Sequence, residues 1–320
     1  MRLKVLCLLV ITTCMLLLGG DSARALADER IEQIRKSWDA RWERSKQLHL
    51  KLSSVRVETP PPREISDADR AAGRVGPRPH RLTTDMWFSD DRIAIAIERE
   101  PKEVPWLPAK DYYVHTAEGS QYIHAGTASH GFDARSIGGV SEKQRVAHFG
   151  LYQVFFPPML SYRASESGAL SFALSSAVID KEVRKIGDID CLVLILNEKD
   201  QALITTEVWV DPDREFVPLR ILTRRNQVLT RQFDVTFNAH PTVGYALAAW
   251  QFKSMKSNGK PSAIEDVTVQ VFDADTPIPD AQFRIQFPPG ATVSVDDGRG
   301  RVQVGPNGEI PGFGAGCNAD

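Results

Sequence analysis

The sequence predicts a mainly β protein with a few helices (α+β): one strongly curved antiparallel half-barrel covered by short helices. The clearest support is the segment 203–223, where Val208 and Val210 alternate with Glu207 and Trp209 at the period of a strand. Asp211-Pro212-Asp213 interrupts the alternation with turn residues, and the alternation resumes at Val217, as expected of a hairpin. About ten such strands, each with one apolar face, must close around a core, and a barrel or half-barrel does so.

The first 27 residues predict export. Arg2 and Lys4 precede an apolar run that ends at Leu18, and Ala25-Leu26-Ala27 provides small residues before a cleavage point at Asp28. This is the pattern of a secretory signal peptide, so we expect residues 1–27 to be removed and the protein to be periplasmic or secreted. A membrane anchor is disfavoured because a span needs about 20 apolar residues. Lipidation at Cys14 is disfavoured because the apolar run continues beyond it.

The composition excludes several classes of protein. The chain has 320 residues, of which 42% are hydrophobic and 25% charged, as in an ordinary globular protein. It contains 39 basic and 41 acidic residues, and the leader holds three and one of them, so the mature chain has a formal charge of −4. That balance gives neither a basic surface for nucleic acid nor a polybasic membrane patch. After the leader, Cys191 and Cys317 are too few for a disulfide framework, and whether they pair is left open.

The remaining chain is predicted to be one domain, 28–310, followed by a flexible glycine-rich tail, 311–320. Residues 28–45 have helical spacing, with Ile34 and Trp38 on the apolar face, and a strand follows. The proline-rich and charged stretch 59–79 is expected to be a surface insertion. Residues 126–150 are expected to be loop, and 151–163 to form two short helical pieces separated at Pro157-Pro158.

A hairpin is predicted around Glu118-Gly119, with two histidines on one face. If the pairing is centred there, one face carries aromatic residues and histidines, namely Tyr113, His115, Tyr122 and His124, and the other carries Val114 and Ile123. Zinc needs three or four placed ligands, and the spacing fixes no third one, so no metal site is predicted.

No motif predicts catalysis. The nucleophile elbow, the HExxH pair and the phosphate-binding loop are all missing from the sequence. Ser257-Asn258-Gly259-Lys260 matches a serine-lysine motif, but it lies in a predicted hairpin turn. The pairs Asp211/Asp213 and Asp296/Asp297 lie in turn-like segments, where aspartate bonds the backbone. We therefore expect a protein that is not an enzyme and that carries no cofactor.

In this order of elements the chain resembles the periplasmic lipoprotein-carrier family of the LolA/LolB type. The matching segments are VWVDPDREFVPLRIL at 208–222, YYVHTAEGSQYIHAG at 112–126, PPML at 157–160 and, most specifically, FRIQFPPGATVSVD at 283–296. The resemblance implies a half-barrel whose helices cover an apolar cavity for acyl chains. One segment departs from the family: Ser89-Asp90 stands where a basic residue and proline are usual, an arginine tied to opening of the cavity, and Arg92 is near but out of register.

These observations predict a binding protein for lipid or lipoprotein acyl chains, with peripheral membrane contact a further expectation. The predicted lining residues lie on the inward faces and in the cover: Met86, Phe88, Ile93, Ile95, Phe155, Phe156, Leu160, Val208 and Val210. Pro157-Pro158 would be the hinge of the cover, and Gly138, Gly139 and Gly150 would free the preceding loop. Two alternatives stay open: the same side chains form a filled core, or the half-barrel is a docking surface for an envelope protein, as in an interaction or sensor protein.

Overall fold

A computed structural model describes residues 28–58, 67, 79–99, 110–125, 131–141, 157–162, 174, 177–197, 203–295 and 300–310. The predicted signal peptide, nearly all of the predicted insertion 59–79 and the tail 311–320 lie outside these residues. None of the helices in the described ranges has the length and apolar character needed to span a membrane.

One helix and sixteen strands make up the regular structure of these residues. Helix α1 spans residues 28–44, as its apolar spacing predicts. The strands are β1 Gln47–Glu58, β2 Pro79–Ser89, β3 Arg92–Arg99, β4 Lys110–Thr116, β5 Gly119–His124, β6 Ile137–Ser141, β7 Val178–Ile179, β8 Arg184–Ile186, β9 Ile189–Asn197, β10 Ile204–Asp211, β11 Val217–Arg225, β12 Val228–His240, β13 Gly244–Met255, β14 Pro261–Asp273, β15 Thr292–Val295 and β16 Gly300–Gln303. Short 3-10 segments occupy Pro157–Tyr162, Pro212–Arg214 and Asp280–Phe283.

The strands form a single open, curved sheet. Its order is β16-β15-β6-β5-β4-β3-β2-β1-β14-β13-β12-β11-β10-β9-β7, with β8 paired to β9. All pairs are antiparallel except β15 with β6. In the part of the sheet that runs from β1 through β14 to β10, each of the five strand pairs contains a shift in register. Examples lie between Lys51 and Leu52 in β1 and between Trp209 and Val210 in β10. Such irregularities bend a strand and increase its twist, which curls this half of the sheet.

The two faces of the sheet carry separate hydrophobic clusters. The inner face is defined here as the one that bears the larger cluster, to which β1–β3 and β9–β14 contribute, and α1 and the 3-10 segment Pro157–Tyr162 pack against it. The outer face of β3–β6 is covered by the segment 278–291, which buries Phe283, Ile285 and Phe287. Alternation of side chains along each strand separates the two clusters.

Several predictions from the sequence are confirmed. The hairpin at 203–223 is β10 and β11, and Asp211 accepts a 2.9 Å bond from the Asp213 amide at its turn. The register of β4 and β5 places Tyr113 opposite Tyr122, so the predicted faces of this hairpin are correct. Asn258-Gly259 forms the turn between β13 and β14, where Gly259 has a φ of 77°.

Other predictions are wrong. The helices are few rather than covering: among the described residues α1 is one helix and Pro157–Tyr162 is a 3-10 segment, while residues 151–156, the first predicted helical piece of this region, lie outside the described residues. Within the predicted loop 126–150, residues 137–141 form β6. Phe283, Ile285 and Phe287 alternate as a strand would, but this segment runs over the outer face without joining the sheet. Periodicity alone cannot separate a strand from an extended segment whose alternate side chains are buried.

Candidate functional site

Seven of the nine predicted lining residues are described, and all seven lie in the inner cluster. They come from β2, β3, β10 and the 3-10 segment Pro157–Tyr162, and none is more than 5% exposed: Met86, Phe88, Ile93, Ile95, Leu160, Val208 and Val210. Phe155 and Phe156 lie outside the described residues. The alternation of apolar residues therefore places the six strand residues of this set in one buried cluster, and their role as ligand-binding residues stays a prediction.

These side chains are packed against one another in the structure. One cavity of about 260 Å³ lies beside the β4–β5 turn and Asp280–Phe283, and another of about 240 Å³ lies between the end of α1 and residues 274–277; neither is lined by these seven residues.

The cover, which here means α1 together with the 3-10 segment Pro157–Tyr162, is attached through α1 to the turn between β10 and β11. The Trp38 indole donates to the Phe216 carbonyl over 2.8 Å, and Ser37 Oγ donates to the Glu215 carbonyl over 2.9 Å. Glu215 and Phe216 both have positive φ values, 51° and 54°. This left-handed backbone ends the Pro212–Arg214 segment, and its carbonyls accept bonds from α1.

Arg41 places a buried charge under this cover. Its Nη2 donates to the Glu215 carbonyl at 2.9 Å and lies 3.3 Å from the Glu215 carboxylate, and its guanidinium lies 5.8 Å from the centre of the Tyr162 ring. The side chain is fully buried, and burial lowers the pKa of Arg41. Its Nε and Nη1 have no hydrogen-bond partner in the described part of the chain. Sequence reasoning missed this residue, although Arg41 follows Ile34 by seven positions and therefore lies on the same face of α1.

The 3-10 segment is fixed at its end by Tyr162. The phenol donates to the Tyr245 carbonyl over 2.6 Å, and the ring packs near Phe237 and Phe272. Burial raises the pKa of Tyr162. Pro158 is itself buried, so the segment proposed as a hinge is packed at this proline.

Beyond the apolar cluster the inner face becomes polar at one end of the strands. There Asp111 is 2% exposed and joins two partners: Arg99 Nη1 contacts its Oδ2, and His124 Nδ1 lies 2.7 Å from its Oδ1. Ser54 on β1, Thr84 on β2 and Glu265 on β14 are buried on the same face. Sequence reasoning missed this region. The available signal was that Ser54 continues the alternation of Leu48, Leu50 and Leu52.

The two histidines of the β4–β5 hairpin are held by separate partners. His115 Nδ1 lies 2.8 Å from Ser120 Oγ, and burial lowers the pKa of His115. His124 is paired with Asp111. Among the described residues no group of three potential metal ligands is assembled.

Arg92, the residue near the position of the family arginine, faces away from the inner cluster. Its guanidinium contacts Asp280 Oδ1 at 2.7 Å and lies 4.4 Å from the centre of the Phe283 ring, both on the outer face. Arg92 pairs with Ser89 on β2. Its contacts with Asp280 and Phe283 attach the segment that contains these two residues to the outer face of the sheet. The contacts of Arg92 described here are with Ser89, Asp280 and Phe283, none of which is a predicted lining residue.

Gly138 and Gly139 are packing residues of β6. A Cβ at Gly139 would overlap the Tyr122 ring on the inner face, and one at Gly138 would overlap the Phe287 ring on the outer face. The prediction that these glycines free a loop is wrong, because each makes room for an aromatic ring.

The candidate catalytic pairs show structural roles where they are described. Asp211 is 2% exposed and accepts from the Asp213 amide and from Arg214 Nε, which stabilises the turn. Asp296 and Asp297 lie outside the described residues. The buried thiol of Cys191 is described, whereas Cys317 is not, so their pairing is not tested.

Comparison with solved structures finds similar chains. A DUF1329 family protein from Desulfovibrio piger ATCC 29098 has a TM-score of 0.47 and 11% identity, covering 78% of this chain and 97% of its own. A putative outer membrane lipoprotein-sorting protein domain from Vibrio parahaemolyticus has a TM-score of 0.45 and 10% identity, covering 79% and 97%. A LolA superfamily protein from Nitrosomonas europaea has a TM-score of 0.42 and 11% identity, covering 77% and 97%. No protein-family model and no curated protein sequence matches the chain.

Proposed function

We propose that the protein is a periplasmic, non-catalytic binding protein for the acyl chains of lipids or lipoproteins. The observation that carries the proposal is the inner face, where apolar residues of β2, β3 and β10 form one buried surface beneath α1 and Pro157–Tyr162. The predicted signal peptide supports the location.

The free energy of burying methylene groups favours an acyl chain that takes the place of the cover on the inner face. Each buried methylene contributes about 0.8 kcal/mol, so a long chain offsets the loss of contacts between the cover and the sheet. Part of the attachment of α1 consists of hydrogen bonds to two carbonyls, at Glu215 and Phe216. Such bonds contribute about 1 kcal/mol each, because water replaces them when the cover moves.

The test is uptake of a fluorescent fatty-acid probe by delipidated protein, with the cover locked or free. Ser37 Oγ lies 2.9 Å from the Glu215 carbonyl oxygen, so the two residues are neighbours, and Ser37→Cys with Glu215→Cys is the pair chosen to link α1 reversibly to the turn; thiol counting verifies that the link forms. We expect the reduced double variant to bind the probe and the oxidised form to lose binding. The single variants under oxidising conditions are the controls.

Two outcomes would contradict the proposal. If delipidated wild-type protein takes up no acyl probe, the inner face is only a packed core. If the oxidised double variant binds as well as the reduced one, the cover does not have to move. A co-purified envelope protein in native mass spectra, without lipid, would instead support the docking function.

A further inference from the structure

The polar end of the inner face contains four buried atoms without a hydrogen bond of normal geometry. Ser54, Thr84 and Glu265 are 2%, 1% and 1% exposed. Within the described ranges, Ser54 Oγ, Thr84 Oγ1, Glu265 Oε1 and Arg56 Nε are shielded from solvent and none forms a hydrogen bond of normal geometry, although Ser54 is near enough to the Glu265 carboxyl to lower its pKa. Buried polar atoms are almost always bonded, so four in one place indicate a site for another molecule.

The strand register shows that these residues are neighbours. Ser54 pairs with Leu82 on β2 and with Val267 on β14, so it is diagonal to Thr84 and Glu265 on the same face. Arg56 pairs directly with Glu265. The four residues, called the polar quartet below, therefore span three adjacent strands, β2, β1 and β14.

The polar quartet adjoins the proposed acyl-binding surface. Thr84 pairs with Leu52 on β1 and with Ile97 on β3, both fully buried in the inner cluster. Met86 lies two residues further along the same face of β2. A chain on this surface would end with its head group at the quartet.

The charges disfavour an anionic head group. Arg56 already lies 2.7 Å from Glu58 and 3.8 Å from Glu265, so its charge is already paired with Glu58 and an added anion would lie beside a second carboxyl group. An ammonium group fits only half of the site, because it donates but cannot accept from Arg56 Nε. A group of hydroxyls both donates and accepts, which matches the carboxylate, the arginine and the two hydroxyls together.

We propose that the polar quartet binds the neutral, hydroxyl-rich head group of an acyl ligand, of the chemical class of acylglycerols. This inference rests on the proposed function, because the chain of the same ligand lies on the inner cluster. It predicts that the protein prefers a head group with adjacent hydroxyls to a carboxylate or an ammonium on the same chain.

The test compares three ligands with an identical chain: a monoacylglycerol, the free fatty acid and the alkylamine, each displacing a fluorescent acyl probe. The variants are Ser54→Ala and Thr84→Val, and the matched controls Ser53→Ala and Thr83→Val change neighbouring residues on the other face. We expect wild-type protein to bind the monoacylglycerol most tightly. Each quartet variant should weaken that binding about fivefold, the effect of one hydrogen bond, and leave the other ligands unchanged.

The outcomes distinguish this inference from the proposed function. Equal affinity for the three ligands, or quartet variants that behave as their controls, would overturn the head-group site and leave acyl binding standing. Tighter binding of the fatty acid or of the amine would also overturn it. If none of the ligands binds, both proposals are wrong. Thermal unfolding of each variant shows whether a loss of binding reflects a loss of folded protein.

Discussion

The Trp38 side chain donates its indole hydrogen to the main-chain carbonyl of Phe216 over 2.8 Å, joining residues 178 positions apart. Trp38 is 1% exposed, so this bond lies inside the contact between α1 and the β10–β11 turn. The left-handed conformation of Phe216 presents the carbonyl to the helix. This bond makes the stability of the cover depend on the geometry of a distant turn.

Trp38→Phe should lower the free energy of unfolding by about 1–3 kcal/mol, because the Phe216 carbonyl, which lies against the buried Trp38, loses its donor. The control is Trp209→Phe: the partly buried indole of Trp209 lies 3.4 Å from Glu207 Oε2, a long contact between side chains, so the effect should be less than half as large. Urea unfolding followed by circular dichroism measures both. Equal losses would show that ring size, and not the bond, is what matters.

Glu215→Gln should destabilise the protein more than Arg41→Met. The first variant leaves the buried guanidinium without its carboxylate, at a cost of about 1–2 kcal/mol given that Glu215 is partly exposed. The second variant removes two unpartnered nitrogens, and the Glu215 carbonyl keeps its bond from Ser37. Denaturant midpoints decide the order, and the reverse order would contradict this account of the buried charge.

Gly139→Ala should destabilise the fold by about 1–3 kcal/mol, because the new methyl group overlaps the ring of Tyr122, its partner across the strand pair. A second change, Tyr122→Leu, should recover part of that loss. Gly131→Ala is the control, since a Cβ there meets no described atom within 4 Å. Thermal unfolding of the variants gives the comparison. Additive losses in the double variant would rule out the steric explanation.

Glu265→Gln should gain stability relative to wild type as the pH rises. Burial raises the pKa of the Glu265 carboxyl, whereas Ser54 and Arg56 lower it and Glu58 raises it. The folded protein thus holds this proton to higher pH than the unfolded chain. The contribution of Glu265 to stability is present below the unfolded pKa and is lost as the pH rises through the folded pKa. Glutamine stays neutral throughout.

Urea unfolding of both proteins at about pH 4 and at pH 7 measures this difference. Asp266→Asn is the control, because Asp266 is an exposed neighbour on the same strand. A constant difference between wild type and Glu265→Gln at the two pH values would show that Glu265 ionises as readily in the folded state as in the unfolded one.

The exported protein should begin at Asp28. The charged start, the apolar run to Leu18 and Ala25-Leu26-Ala27 predict cleavage at that position. Intact-mass analysis of the periplasmic fraction reads the first residue directly. A mature chain beginning at Met1, or a mass that includes a lipid on Cys14, would contradict the prediction.

The inner face could be predicted from the sequence because strand alternation is local. Met86, Ile95 and Val208 were placed on it by a period of two, and each is fully buried in the inner cluster. The helix at α1 and the hairpin faces at Tyr113 and Tyr122 follow from the same kind of local pattern. The number of strands could not be predicted, since β6, with its two glycines, lacks alternation.

By itself, the sequence determined which side chains of each strand share a face, where the hairpins turn and that α1 is amphipathic. Only the tertiary structure decided what those faces meet. It placed Phe283 and Arg92 on the outer face, brought Arg41 to the carbonyl of Glu215 and aligned Ser54 with Glu265. These contacts join residues far apart in the chain, and they depend on strand order and register, which the local period of a strand does not encode.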